Sequence, residues 1–220
     1  MARNGGKNTS VFHTAEWAIF CAGVAMSLLL IGAAWYFFDS RPEKVKTFGL
    51  VLVVHTFGGR AAGIGLCILN GVNHFWTIAY NFYLEVLIVC FTYSISVLSI
   101  NNYIKLRVIR YYVLRLERKA RKYRDKIERY GWLGLLLFVM TPLPVTGPVV
   151  GSIIGYLLKF RVSKNFSATF LGTLAAIVLW TLFFDLLEQH LNVIRAILAG
   201  IIFLVLLSYA RDIKNLFSNK

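Results

Sequence analysis

The chain has 220 residues, of which 58% are hydrophobic and only 15% are charged, and its mean hydropathy is +0.65. So few charged groups cannot cover the surface of a water-soluble domain of this size, which excludes a soluble globular protein and indicates an integral membrane protein. The net charge of +14 comes from 24 basic and 10 acidic residues, and eleven of the basic residues lie between Lys105 and Arg129.

The sequence lacks the usual signs of catalysis or of a bound cofactor. Cys21, Cys67 and Cys90 each lie singly in an apolar block, without the close spacing of zinc or iron–sulfur ligands, and are interpreted as packing residues. There is no Gly-rich phosphate loop, nucleophile elbow or pair of catalytic carboxylates. We therefore expect neither an enzyme nor a metal or cofactor site.

Four apolar segments are long enough to cross a bilayer, which takes about 20 residues of helix. The first has Trp17 and Trp35 near its ends, as is typical of interfacial aromatic residues. The predicted transmembrane helices are 17–38, 73–100, 166–187 and 193–210.

Two further apolar segments are interrupted near their centres. Residues 47–70 contain Gly58-Gly59-Arg60, and residues 132–158 contain three prolines from Pro142 to Pro148. Each arm is too short to cross, and a chain break persists inside the hydrocarbon layer only where protein or a wet cavity surrounds it. The sequence therefore predicts two re-entrant helical hairpins that enter from opposite faces and meet near the midplane, as in inverted-repeat transporters.

The distribution of Lys and Arg supports this topology, since both concentrate on the cytoplasmic side. If residues 47–70 and 132–158 are both re-entrant, 19 basic residues lie on the cytoplasmic side and 4 on the outside. If residues 132–158 cross the membrane instead, 14 basic residues lie inside and 9 outside. If residues 47–70 cross the membrane, 20 basic residues lie inside and 3 outside, so the charge distribution does not decide this segment. The prediction of a hairpin here depends instead on the paired glycines and on the cost of placing Arg60 within lipid. Both termini, including the tail 211–220, are expected in the cytoplasm.

The two hairpin tips are candidate sites for an anionic group. Gly147, Gly151 and Gly155 line one face of the second returning arm, which Thr146 or Gly147 caps. Unpaired amides at such a helix start attract anions, and Arg60 adds a full positive charge at the first tip, where Gly58 and Gly59 precede it. The alternative is that the glycines serve only close helix packing.

Glu85 and His55 are candidate proton carriers. Glu85 is the one acid deep in an apolar segment, and a carboxylate removed from water favours its neutral form. A lone histidine in an apolar arm, however, is more often a packing residue. A structural ion pair between Arg60 and Glu85 is a further alternative, compatible with transport if an anion displaces Glu85 or if Glu85 takes up a proton.

Residues 101–130 are predicted to form one amphipathic cytoplasmic helix, because their apolar positions alternate in steps of four and three. We expect its basic face to lie against anionic headgroups, and we do not expect nucleic acid as a partner. The basic residues assigned to the membrane surface are Lys105, Arg107, Arg110, Arg115, Arg118, Lys119, Arg121 and Lys122.

The run YGWLGLLLFVMTPLPVTGPVVGSIIGYLL, with the basic helix before it and FLGTLAAIV after it, resembles the small multidrug export family, a distant relative of the DedA proteins. FGGRAAGIGL resembles the family's first half more weakly, with Gly58 near the place of the usual acid and Tyr80 in place of the glycine before Asn81. The resemblance covers residues 47–185 and implies a transporter of a prokaryotic inner membrane. The site positions that it implies are Arg60, Asn81, Pro142, Pro144, Thr146, Gly147 and Gly151.

Three hypotheses of function follow. The first is a transporter that flips an anionic lipid through a cavity between the hairpins; the DedA likeness implies a polyprenyl phosphate or a phospholipid. The second is an exporter of small organic cations coupled to protons through Glu85. The third is a membrane scaffold whose basic helix recruits a partner. So few crossings enclose a cavity incompletely, so we also expect a homodimer.

Overall fold

The computed structural model describes residues 15–100, 111, 114, 115, 118, 121, 127–141 and 147–189, and their regular structure is helical. This confirms the predicted all-α fold for that part of the chain. The helices with defined bounds are α1 (Ala15–Phe38), α2 (Pro42–Gly58), α3 (Arg60–Leu69), α4 (His74–Ile100), α5 (Gly131–Met140), α6 (Gly147–Leu157) and α7 (Val162–Gln189).

Three of these helices are long and apolar enough to cross a membrane: Ala15–Phe38, His74–Ile100 and the part of α7 from Val162 to Leu187. α1 also presents large apolar side chains outward, with Leu29 70% and Trp35 85% exposed. Such a surface is stable against lipid and costly against water. The predicted fourth crossing, 193–210, and the tail 211–220 lie outside the described residues.

α2 and α3 form an antiparallel helical hairpin. α2 begins at Pro42 rather than within the predicted segment 47–70, because proline suits the first helical position and Glu43 lies in the first turn. The chain turns at Gly59, whose φ of 82° and ψ of 178° are essentially restricted to glycine. Val51 and Cys67, at equal distances along the chain from this turn, pack in one buried cluster.

α5 and α6 form a second antiparallel pair. Gly147 lies against the backbone of Val139, and Gly151 lies against the side chains of Val139 and Leu135. A Cβ at Gly151 would lie 2.5 Å from Val139 Cγ2, so the glycine permits the close approach of the two helices. Of the predicted break from Pro142 to Pro148, Gly147 and Pro148 begin α6, and residues 142–146 lie outside the described residues.

The long helix α4 forms the centre of the packing and contacts α1, α2, α3 and α6. Its start is fixed by Asn73, whose Oδ1 accepts a hydrogen bond from the Phe75 amide at 2.8 Å. α7 packs on α6, where Asn165 Nδ2 donates to Ser152 O at 2.7 Å and Gly155 leaves room for the Asn165 side chain. From Leu182 onward α7 belongs to a second compact unit, described as far as Gln189.

Candidate functional site

Three ionisable side chains from three helices meet at the turn of the first hairpin. Arg60 is the first residue of α3, His55 lies in the last turn of α2, and Glu85 lies midway along α4. Glu85 Oε1 is 3.6 Å from Arg60 Nε and 3.8 Å from His55 Nε2. All three residues are buried, at 7%, 2% and 6% exposure for Arg60, His55 and Glu85. The structure thus brings together the candidate anion-binding residue and both candidate proton carriers.

The distances leave this cluster loosely bonded. Both contacts of Glu85 exceed the usual length of a hydrogen bond, so they are electrostatic rather than directional. A buried ion pair stabilises a fold only when its geometry is good and its remaining polar atoms are satisfied. Within the described residues, His55 Nε2 and Arg60 Nη1 have no hydrogen-bond partner. The cluster is therefore poorly explained as a device for stability alone.

Arg60 also links the first hairpin to the second helix pair. Its Nη2 donates to Val139 O at 3.4 Å, and this carbonyl belongs to the last turn of α5, where the helix dipole favours a cation. A Cβ at Gly147 would lie 2.5 Å from Arg60 Nη2, so a side chain there would displace the guanidinium from the start of α6. The contact joins residues 79 positions apart in the chain.

Asn81 connects His55 to the body of α4. His55 Nδ1 and Asn81 Oδ1 are 2.8 Å apart, and Asn81 Nδ2 donates to Thr77 O at 2.8 Å. Nδ2 also lies 3.6 Å from Cys67 Sγ. Gly63 faces this network: a Cβ there would lie 2.6 Å from Asn81 Oδ1 and 2.8 Å from His55 Nδ1. The hydrogen bond between His55 and Asn81 therefore depends on the absence of a side chain at Gly63.

A small cavity of about 40 Å³ adjoins the charged cluster. Helix starts from both pairs contribute to its wall, since it reaches from the start of α3 to that of α6. The residues that line it are His55, Thr56, Gly59, Arg60, Glu85, Ile88, Pro148 and Val149.

The other predicted site residues take different places. Gly58 is exposed, and Gly151 packs against α5, as the alternative of close helix packing requires. Asn81 contacts His55 and does not line the cavity. Pro142, Pro144 and Thr146 lie outside the described residues.

Of the predicted basic helix 101–130, the structure describes residues 111, 114, 115, 118, 121 and 127–130. Arg115, Arg118 and Arg121 are helical and exposed. The other residues assigned to the membrane surface, Lys105, Arg107, Arg110, Lys119 and Lys122, lie outside the described part of the chain.

Sequence reasoning missed four residues of the cavity wall: Thr56, Ile88, Pro148 and Val149. The sequence could have predicted one of them, because Ile88 follows Glu85 by three residues and so lies on the same face of the helix. Pro148 and Val149 approach from a helix distant in sequence, which periodicity alone does not reveal. Among the described residues, no three His, Cys, Asp or Glu side chains are grouped to hold a metal ion.

Comparison with known proteins identifies one family. Residues 60–179 match the family described as "Putative small multi-drug export protein". The match begins at Arg60 and includes Asn81 and Glu85, whereas His55 precedes it. Neither the curated proteins nor the solved structures that were compared give a match to the chain. Because the matched segment is more than half of the 220 residues, and because three helices are long and apolar enough to span a bilayer, the chain is an integral membrane protein of the small multi-drug export protein family.

Proposed function

We propose that this protein exports small organic molecules across the membrane and that a proton carried by Glu85 drives the transport. The family description supports export. The observation that carries the proton coupling is the position of Glu85, buried in a helix centre between Arg60 and His55 without a close hydrogen bond to either. Burial opposes the charge of such a carboxylate, whereas the nearby guanidinium favours it, so the balance between acid and anion depends on the contact with Arg60.

The charge state of Glu85 affects how the helix pairs hold together. When Glu85 is ionised, it balances Arg60, which also bonds the end of α5 through Val139 O. When Glu85 takes up a proton, the charge of Arg60 is left without its counter-ion, and the attraction between α3 and α4 weakens. Protonation therefore biases a contact that joins both helix pairs, as coupling requires.

Transport also needs the site to open. A cavity of about 40 Å³ has room for a few water molecules, whereas sites for organic molecules enclose roughly 300–1,000 Å³. We propose that α2–α3 and α5–α6 are the re-entrant hairpins predicted from the sequence, dipping from opposite membrane faces, and that their separation at Arg60 admits the substrate. The predicted homodimer stays a prediction within this proposal.

The proposal is tested by replacing Glu85 in protein reconstituted into lipid vesicles. With ethidium as the organic cation, the wild type should move the dye when a pH gradient is imposed, and Glu85→Gln should lower that flux to the level of protein-free vesicles. Glu43→Gln is a matched control, because Glu43 is an exposed acid of α2 paired with Lys46. If Glu85→Gln folds and keeps the gradient-driven flux of the wild type, Glu85 is not the coupling group.

A second candidate function is movement of a phosphate-bearing lipid, as the DedA likeness implies. The observation that favours it is Arg60 Nη1, which is buried at the cavity without a hydrogen-bond partner among the described residues. A phosphate oxygen is the preferred acceptor of a guanidinium. In vesicles with fluorescent polyprenyl phosphate, Arg60→Ala should lower translocation to the protein-free rate while exposed Arg41→Ala leaves it unchanged. Equal rates for Arg60→Ala and the wild type exclude this candidate.

A further inference from the structure

We infer that Asn81 holds His55 in the single tautomer whose Nε2 accepts the proton of Glu85. This makes His55 a second proton carrier and Asn81 its positioning residue. The inference rests on the proposed proton coupling, which it deepens. Three contacts carry it: Asn81 with Thr77 O, Asn81 with His55, and His55 with Glu85.

The first step fixes the orientation of the Asn81 amide. Asn81 lies 2.8 Å from Thr77 O, and a backbone carbonyl can only accept a hydrogen bond. The atom of Asn81 at this position is therefore Nδ2, because Oδ1 there would place two acceptors against each other. The Asn81 oxygen consequently faces His55.

The second step fixes the tautomer of His55. Asn81 Oδ1 is an acceptor 2.8 Å from His55 Nδ1, so Nδ1 must carry the hydrogen. In the neutral ring Nε2 then has a free lone pair. Both residues are fully or almost fully buried, at 0% and 2% exposure for Asn81 and His55, so bulk water does not compete for this bond.

The third step concerns what Nε2 faces. Nε2 is buried without a hydrogen-bond partner among the described residues, and it lies 3.8 Å from Glu85 Oε1 beside the cavity. A buried acceptor without a hydrogen bond is costly unless a donor can reach it. Rotation of the Glu85 carboxyl that shortens the distance by about 1 Å would form a hydrogen bond.

The proton passes directly from Glu85 to His55, and no other reactant is needed. The O–H bond of neutral Glu85 breaks and an Nε2–H bond forms, which leaves a carboxylate and an imidazolium. The total charge of Glu85, His55 and Arg60 does not change, but the carboxylate then lies between two cations. Among the described residues, Cys67 is a further titratable group beside this network, and its Sγ contacts the Asn81 amide from α3.

The test measures the tautomer directly. The full chain, labelled with ¹⁵N-histidine and reconstituted into lipid vesicles, is studied by solid-state nuclear magnetic resonance. The His55 signals are assigned by their loss in His55→Gln, with His74→Gln as the control. We expect a protonated Nδ1 and an unprotonated Nε2 in neutral His55. A protonated Nε2 with a bare Nδ1 would falsify the inference.

Two substitutions test the role of Asn81. Asn81→Leu removes the acceptor, so we expect a mixture of His55 tautomers and a shifted dependence of ethidium flux on external pH. Asn81→Asp keeps an oxygen at the same position and should keep the protonated Nδ1. Asn70→Leu, at the exposed end of α3, is the control and should change neither signal nor profile.

Gly63→Ala gives a second route if Asn81→Leu does not fold, because its Cβ intrudes between His55 and Asn81 without removing either. If Asn81→Leu and Gly63→Ala leave the tautomer pure, Asn81 has no positioning role. If the tautomer is as inferred but Glu85→Gln keeps gradient-driven flux, the proton coupling is wrong while the arrangement of His55 and Asn81 stands.

Discussion

Single residues set the geometry of this site, and Gly59 is the clearest case. Its φ of 82° with ψ of 178° lies in a region that side chains other than glycine do not adopt without strain. We expect Gly59→Ala to destabilise the protein by about 1–3 kcal/mol, because the turn between α2 and α3 must distort to accept a Cβ. Thermal unfolding in detergent micelles measures the effect.

Gly32 provides the matched control for Gly59. It lies within α1, and a Cβ there would meet no atom within 4 Å. Gly32→Ala should therefore be neutral or stabilising by up to about 1 kcal/mol, since alanine favours the helix. Equal unfolding temperatures for both alanine variants would show that the conformation of Gly59 is not a source of strain.

At the scale of elements, the sequence predicted where the chain breaks between helices better than it predicted which atoms of different helices meet. The glycine pair before Arg60 predicted the turn of the first hairpin. An ion pair between Arg60 and Glu85 was one of the alternatives that the sequence offered, because Glu85 is the one acid deep in an apolar segment. It did not predict that Val139 O accepts from Arg60, or that Asn81 binds His55. These contacts join residues 79 and 26 positions apart, and helical periodicity carries no information on such distances.

The two helix pairs share a packing device with the long helix that follows each of them. Asn81 of α4 lies against Gly63 of α3, and Asn165 of α7 lies against Gly155 of α6. In each case the glycine leaves space for an amide side chain near the start of the long helix. The same contact between a helical glycine and an amide side chain therefore occurs beside each helix pair. The chemistry differs, since Asn81 binds a histidine and Asn165 binds a backbone carbonyl.

The second helix pair should be sensitive to bulk at its contact. Gly151 of α6 faces Val139 and Leu135 of α5, so Gly151→Leu would force the helices apart. We expect a loss of about 1–3 kcal/mol in stability from overpacking, together with a weaker contact between Arg60 and Val139 O. The midpoint of unfolding in a denaturing detergent measures the stability. Gly49→Leu, where a Cβ meets no atom within 4 Å, is the control, and comparable losses in both would contradict the prediction.

At the scale of the whole molecule, the protein keeps a buried charge cluster at the meeting point of its two helix pairs. Such a cluster is a weak source of stability, because the cost of removing two charges from water offsets their attraction. Two apolar clusters, around Val51 and Val139, pack the helices of the first and the second pair separately from these charges. The buried charge cluster is therefore better explained by the proposed role in transport than by a role in folding.

This distinction leads to a prediction about the pair Arg60 and Glu85. Arg60→Met alone leaves the Glu85 carboxylate buried without the counter-ion Arg60 and should destabilise the protein by about 3–5 kcal/mol. The double variant Arg60→Met with Glu85→Leu removes both charges and should recover most of that loss, or even exceed the wild type, because apolar side chains of similar size fill the space. The double variant should nevertheless show no pH-gradient-driven ethidium flux. Unfolding and flux measured on the same preparations separate the two effects. If the double variant is as unstable as Arg60→Met, the ion pair is a structural requirement. If the double variant still transports ethidium, the charge cluster has no part in the mechanism.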